Sequence, residues 1–150
     1  MALQISQILA PDRILSNVSS HSKKAALETL AGLIAGADSS LTQAEVFNSL
    51  ISRERLGSTG LGQGVALPHG RLKNGHTTLA AFIRLESAIN YDAVDHKPVD
   101  LLFALLVPEE STEEHLQILA QLAERFSRPE VLDRLRTEPD IEGIYTLLTG

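Results

Sequence analysis

Apolar side chains recur at helical spacing in two segments near the start of the chain. Over residues 22–35 they return every three or four positions, which predicts an amphipathic helix that Gly36 ends. A second helix is predicted to begin after Thr42, because Thr42 and Glu45 have the T-x-x-E spacing of a capping box. Gly57, which follows the basic residues of the last turn, is expected to end this helix. Two packed helices are therefore expected before any long strand.

The middle of the chain has the pattern of strands. Short runs of apolar residues predict strands over residues 14–18, 65–67 and 77–85, and residues 73–76 have the composition of a turn. The run over residues 99–107 is apolar throughout and lies between two prolines, which predicts a central strand buried on both faces. Apolar residues before position 14 do not recur at regular spacing, which predicts an irregular segment, or lead-in, before the first strand.

Helical spacing returns after the strands. Ser111 and Glu114 repeat the capping-box spacing, and Pro129 and Pro139 suit the first turns of two further helices. Helices before and after a group of strands predict an α/β fold with a mixed sheet covered on both faces. At 150 residues, one domain spanning residues 1–150 is expected.

The composition excludes several classes of function. A net charge of −6 argues against general binding of nucleic acid, which requires lysine and arginine to neutralise phosphates. The chain has no cysteine, so disulfides and thiolate chemistry are absent. No apolar run is long enough to span a membrane, and the first residues do not resemble a signal peptide. These observations predict a cytoplasmic protein that does not insert into membranes.

The densest motif is GSTGLGQGVALPHGR, over residues 57–71. Pro68 is expected to end the strand before it, so that His69 is presented at the strand tip. The glycines do not match a nucleotide-binding loop: no Gly-Lys-Ser/Thr triplet is present, Val65 stands where the dinucleotide fingerprint needs its third glycine, and a strand follows instead of a helix. Taken alone, the glycines favour a tight turn.

Other chemistry has less support. The histidines lack the close spacing of metal ligands, so neither a metal site nor a cofactor is expected, and His21, His76 and His96 are interpreted as surface residues. The sequence contains no G-x-S-x-G motif of a serine nucleophile. The remaining candidate is His69 as a nucleophile, with Arg53 and His115 nearby to bind an anion. A structural histidine remains the alternative from spacing alone.

The stretch RERLGSTGLGQGVALPHGR, over residues 53–71, closely resembles the signature of phosphotransferase-system IIA domains of the fructose/mannitol type, and in particular their nitrogen-regulatory branch. The region around His115 resembles the second histidine region of that family. The resemblance covers essentially the whole chain. It implies a mixed central sheet of about five strands sandwiched between helices.

The resemblance also implies roles for individual residues. His69 is the expected phosphoacceptor at Nε2, Arg53 and His115 are the expected phosphate-stabilising residues, and an HPr-like phosphocarrier protein is the expected donor. The donor would dock on a mostly exposed His69 in a shallow depression with an apolar rim, and the glycines would pack closely around the phosphoryl group. Mannitol-type domains have an acidic residue six positions before the active histidine, where this chain has Gln63.

Two functions remain open within this resemblance. The first is a regulatory component of a nitrogen-related phosphotransferase system, whose phosphorylation state controls binding to targets such as sensor kinases or potassium transporters. The second is a carrier that passes phosphate to a separate IIB domain of a sugar transporter. Either function makes the protein a phosphotransferase component that uses a phosphohistidine. No fused IIB or IIC domain is recognised, which favours regulation.

Overall fold

A computed structural model of the chain describes residues 4–72, 77–110 and 112–150. The described residues form helices α1 (Ile5–Ile8), α2 (Lys23–Ala35), α3 (Gln43–Glu54), α4 (Thr112–Phe126), α5 (Pro129–Thr137) and α6 (Ile141–Thr149). The strands are β1 (Ile14–Val18), β2 (Gly60–Gly62), β3 (Val65–Ala66), β4 (His69–Leu72), β5 (Leu79–Ile89) and β6 (Val99–Pro108). The predicted turn at residues 73–76, including His76, lies outside the described residues, as does Ser111 of the predicted capping box with Glu114.

The two early helices begin where the sequence predicts. Ser22 caps α2 by accepting a hydrogen bond from the Ala25 N–H at 3.1 Å, and Thr42 caps α3 by accepting from the Glu45 N–H at 3.2 Å. The capping box at Thr42 is only half formed: the Glu45 carboxylate accepts from the Thr42 hydroxyl at 3.0 Å instead of from its backbone N–H. The lead-in is more regular than predicted, because α1 and a 3₁₀ turn (Pro11–Arg13) precede β1.

The strands form one mixed sheet in the order β1-β5-β6-β3-β2, with β4 also paired to β6. Strand β6 lies parallel to β3 and β4 and antiparallel to β5. Helices α2 and α3 pack on one face, and α1, α4, α5 and α6 contribute to the core on the other. The expected mixed sheet between helices is confirmed, and β6 is buried on both faces, as predicted.

Strands β3 and β4 pair one after the other with the same edge of β6. Val65 pairs with Leu101 and His69 with Leu105, so the register is unchanged across the two intervening residues. Pro68 therefore interrupts the strand without ending it, contrary to the sequence prediction. It has no N–H to donate, but its carbonyl accepts a hydrogen bond from the Leu105 N–H at 2.9 Å. His69 consequently lies at the start of a strand, and the sheet is five strands wide.

Among the described residues, no helix has both the length and the apolar character that crossing a bilayer requires.

Candidate functional site

A depression at the outer edge of β4 contains all three predicted site residues. It lies between α3 and the start of α4, and Arg53, His69 and His115 line it together with Arg71. The remaining lining residues are Ser40, Leu41, Glu45, Asn48, Ser49, Ser52, Leu56, Gly70 and Leu72. The lining combines polar side chains with three leucines, of which Leu56 is strongly exposed, so the apolar rim stays a prediction. His69 is half-buried, where the expectation was a mostly exposed side chain.

The backbone just before β4 orients the His69 imidazole. Its Nδ1 lies 2.8 Å from the Leu67 carbonyl oxygen. A carbonyl oxygen only accepts hydrogen bonds, so Nδ1 must carry the proton in this contact. In the neutral ring, Nε2 then has an unshared electron pair. This tautomer leaves Nε2 as the nucleophilic atom of the site.

The surroundings also keep His69 uncharged. Burial is the main cause that lowers its pKa below the usual 6.5, and the positive charges of Arg53 and Arg71 act in the same direction. The hydrogen bond to Leu67 and the charge of Glu54 partly oppose this shift. The imidazole is therefore neutral at pH 7, as a nitrogen nucleophile must be.

His115 stands beside His69 in the first turns of α4. The two ring centroids are 5.3 Å apart and the ring planes are tilted by 55°. His115 is 5% exposed, and its Nδ1 is buried without a hydrogen-bond partner among the described residues. Burial, followed by the charges of His69 and Arg71, lowers the pKa of His115 to about 4. His115 is thus a neutral hydrogen-bond donor at pH 7, not a cation.

Arg53 turns from the end of α3 toward the glycine-rich loop. One of its terminal nitrogens donates to the Gly57 carbonyl oxygen at 2.8 Å. The neighbouring Arg55 is exposed. Arg53 therefore lines the depression, and Arg55 does not. The hydrogen bond uses one of the five guanidinium N–H groups and leaves the others for an anion.

A buried polar cluster beneath the loop was not recognised in the sequence. Glu54 is 6% exposed and accepts from the N–H and the hydroxyl of Thr59, at 2.7 Å in each case. The Tyr91 hydroxyl lies 3.2 Å from the Thr59 oxygen, and Lys23 Nζ lies 3.8 Å from a Glu54 oxygen. In the sequence, Glu54 stands in a charged segment between Arg53 and Arg55. The feature of the sequence that could have indicated this cluster is the five-residue spacing between Glu54 and Thr59, across the glycine that follows α3.

The glycines of the motif do not surround His69, and that expectation is corrected. A Cβ on Gly60 would lie 2.6 Å from the Ala93 Cβ, and Gly64 packs closely against Arg136 and Asp100. Gly64 also has a φ of 83°, which suits glycine. These contacts anchor the turn between β2 and β3. The turn that the glycines alone favoured is the structure they form.

Gly70 has a different purpose from the other motif glycines. A Cβ at this position would meet the Ser49 hydroxyl and lie 3.0 Å from the Ser49 carbonyl oxygen. The Ser49 hydroxyl donates to the Arg71 carbonyl oxygen at 3.0 Å. Only a glycine lets α3 approach β4 this closely. This contact brings Arg53 on α3 near His69 on β4.

The fold and the site together define a mixed α/β protein with two histidines beside an arginine at the edge of the sheet. The family model described as "Phosphoenolpyruvate-dependent sugar phosphotransferase system, EIIA 2" matches residues 7–150. The chain therefore belongs to this family, and the resemblance noted in the sequence is confirmed.

Within the family, the chain is similar to nitrogen-regulatory proteins. It is 44% identical to the nitrogen regulatory protein of Pseudomonas aeruginosa over 146 residues, which cover 97% of this chain and 95% of the relative. It is 43% identical to that of Escherichia coli, over 98% of this chain and 90% of the relative. The fructose-specific EIIA component of Haloferax volcanii is 34% identical over 75% of this chain and 73% of its own length.

Solved structures agree with this assignment. The crystal structure of the nitrogen regulatory protein IIA-Ntr from Neisseria meningitidis superposes with a TM-score of 0.93 at 44% identity, covering 97% of this chain and 99% of that one. The IIA mannitol structure from Escherichia coli has a TM-score of 0.78 at 20% identity, covering 93% and 98% respectively. The latter similarity shows a common fold.

The buried histidine predicts how stability depends on pH. The folded-state pKa of His115 is lowered to about 4 from 6.5, so below pH 6.5 the unfolded chain binds a proton that the folded chain excludes. The stabilisation is therefore complete above pH 6.5 and is lost as the pH falls toward 4, by at most about 1.4 kcal/mol per pH unit. Urea unfolding at several pH values measures this slope.

The variant His115→Asn is the comparison for that measurement. It keeps a polar group at the same position but removes the proton-binding ring. The free energy of unfolding of the variant should change less between pH 6.5 and pH 4, and the carboxylates common to both proteins cancel in the difference. Parallel curves for the two proteins would contradict a lowered pKa at His115.

Proposed function

We propose that this protein is a phosphohistidine-carrying regulator of a nitrogen-related phosphotransferase system. His69 accepts a phosphoryl group at Nε2 from a phosphorylated HPr-like protein in the cytoplasm. The phosphorylation state then controls binding to regulatory targets, such as sensor kinases or potassium transporters. The observation that carries the proposal is the 2.8 Å contact between His69 Nδ1 and the Leu67 carbonyl, which leaves Nε2 as the nucleophile beside His115 and Arg53.

The transfer step moves one phosphoryl group between two imidazoles. The electron pair on Nε2 of His69 forms a bond to phosphorus while the bond from phosphorus to the donor imidazole nitrogen breaks. The leaving nitrogen keeps the electron pair of that bond. The positive charge that develops on the His69 ring is stabilised at Nδ1–H by the Leu67 carbonyl.

Arg53 and His115 would stabilise the oxygens of the transferred group. The guanidinium of Arg53 presents a planar fork of donors, and its bond to Gly57 holds it in place before the donor arrives. His115 presents a neutral N–H and adds no charge that would repel a protonated donor ring. The loss of one preorganised donor of this kind slows a reaction by roughly 10²–10³-fold, or about 3–4 kcal/mol.

Phosphorylation supplies a physical basis for regulation. A phosphoryl group adds about −1.5 to −2 charges at neutral pH. In this depression it would offset the positive charges of Arg53 and Arg71. A target that docks over the depression would therefore distinguish the two states by charge. The relatives named nitrogen regulatory proteins support a regulatory role over a transport role.

The direct test is incubation of the native chain with a phosphorylated HPr-type donor, followed by phosphorus NMR. An acid-labile signal with the chemical shift of an Nε2-phosphohistidine is expected. Its absence from the native chain, with a donor that phosphorylates a known IIA domain in parallel, would contradict the proposal.

The similarity to a fructose-specific EIIA component favours a second candidate, a carrier for a separate IIB domain. Adding a fructose- or mannitol-type IIB domain to the phosphorylated chain separates the two functions. Rapid loss of the phosphohistidine signal with the appearance of phosphorylated IIB would support the carrier. A signal that persists with IIB but decays on return to unphosphorylated donor would support the regulator.

A further inference from the structure

Arg71 lies on the same strand as His69 and faces the same depression. The two residues are separated by one position on β4, and side chains alternate along a strand, so both point to one side. Gly70 between them approaches Ser49 of α3. Arg71 lines the depression together with His69 and His115. The sequence motif contains this arginine, but no role was assigned to it.

The charge of Arg71 acts on both imidazoles. It contributes to the lowered pKa of His69 and to that of His115. The two ring centroids are 5.3 Å apart, so one guanidinium can act on both rings through its positive charge. An anion bound at His69 would lie within the range of this positive charge.

The guanidinium of Arg71 is also unoccupied among the described residues. Arg136 forms an ion pair with Asp100, and Arg128 forms one with Glu124. Arg53 donates to the Gly57 carbonyl. The side chain of Arg71 has no such hydrogen bond or ion pair within the described part of the chain, and the residue is exposed. Its guanidinium N–H groups are therefore available to an anion.

We propose that Arg71 is a second phosphate-binding arginine, which closes onto the phosphoryl oxygens once they are attached to His69. This inference rests on the proposed function. Arg53 is held in place beforehand and acts during transfer, whereas Arg71 is free beforehand and binds the product. Phosphorylation would thus draw an exposed cation from the rim into the depression, and a target would detect both the new anion and the missing cation.

The experiment uses phosphoramidate, a small reagent that phosphorylates histidine without a protein donor. The pH titration of the phosphorus NMR signal then measures the pKa of the bound phosphoryl group in the native chain, in Arg71→Gln and in Arg55→Gln. A nearby cation lowers this pKa. We expect the midpoint to rise by about one pH unit in Arg71→Gln and to stay at the native value in Arg55→Gln, where an exposed arginine outside the depression is removed.

A third variant separates charge from general disturbance of the strand. Arg71→Lys keeps a positive charge at the same place, so its midpoint should return most of the way to the native value. Equal midpoints in the native chain and Arg71→Gln would overturn the role of Arg71. So would an equal rise in Arg55→Gln.

The outcomes also distinguish this inference from the proposed function. Labelling by phosphoramidate without labelling by an HPr-type donor would count against the proposed function alone. An unchanged midpoint after successful labelling by both reagents would count against Arg71 alone. No labelling at His69 by either reagent would overturn both.

Discussion

Replacement of His69 by alanine is expected to abolish phosphoryl transfer to the chain. The substitution removes the only atom to which the phosphoryl group is proposed to bind, so the acid-labile phosphorus signal should be absent at every donor concentration. His69 is half-buried at the start of β4, and alanine retains the backbone pairing of that strand. The free energy of unfolding should therefore change much less than the transfer does, which circular dichroism in urea will show.

Matched variants make this result specific. His21→Ala removes an exposed histidine that is distant from His69 in the sequence. This variant should be labelled like the native protein. Arg53→Ala and His115→Ala retain the nucleophile, so they should still be labelled, but roughly 10²–10³-fold more slowly. Labelling of His69→Ala at the native rate would show that another group accepts the phosphoryl group.

Replacement of Glu54 by glutamine is expected to lower the free energy of unfolding by about 3 kcal/mol, because it removes a buried carboxylate that accepts hydrogen bonds from Thr59 and leaves the half-buried Lys23 without its partner. Glu54 is 6% exposed, and its carboxylate accepts from two groups of Thr59 and lies 3.8 Å from Lys23 Nζ. Glutamine has one acceptor oxygen in place of two, and its amide N–H groups would face the Thr59 donors. Chemical unfolding measures the loss.

The loop conformation should respond along with stability. Thr59 is tied to Glu54 and contacts the buried Tyr91, whose pKa is raised by burial and by the charge of Glu54. The loop that supplies the Gly57 carbonyl to Arg53 is therefore anchored through this carboxylate. We expect Glu54→Gln to slow phosphoryl transfer to His69 as well.

The control for Glu54 is Glu28→Gln, on an exposed face of α2, which should change stability by less than about 0.5 kcal/mol. The double variant Lys23→Gln, Glu54→Gln should be less destabilised than the sum of its single variants, since it leaves no unpaired lysine. A loss at Glu54 no larger than that at Glu28 would contradict the role of the buried cluster.

Several elements of the fold, and the motif around His69, were predictable because the sequence patterns that indicate them are local. The caps at Ser22 and Thr42 act on residues three positions away, so their spacing alone locates two helix starts. Strand β6 is recognisable because burial on both faces demands an unbroken apolar run. The motif around His69 is dense enough to indicate the family directly, and the EIIA 2 assignment confirms it.

Other features depend on residues far apart in the chain. Pro68 predicted the end of a strand, but pairing with β6 continues beyond it because the Pro68 carbonyl is still available to Leu105. The glycines of the motif suggested a cradle for the phosphoryl group. Their close neighbours are instead residues such as Ala93 and Arg136, which only the folded chain brings to them.

The sequence by itself determined the order of the longer helices and strands and the family, since each is encoded by spacing or by a motif within a short segment. The resemblance to that family then indicated Arg53, His69 and His115 as the candidate site. Only the tertiary structure decided which atoms meet. The parallel register of β4 on β6 and the close approach of α3 at Gly70 orient His69. They also place Arg53 and Arg71 in one depression with it, because such contacts depend on packing between segments that no local pattern records.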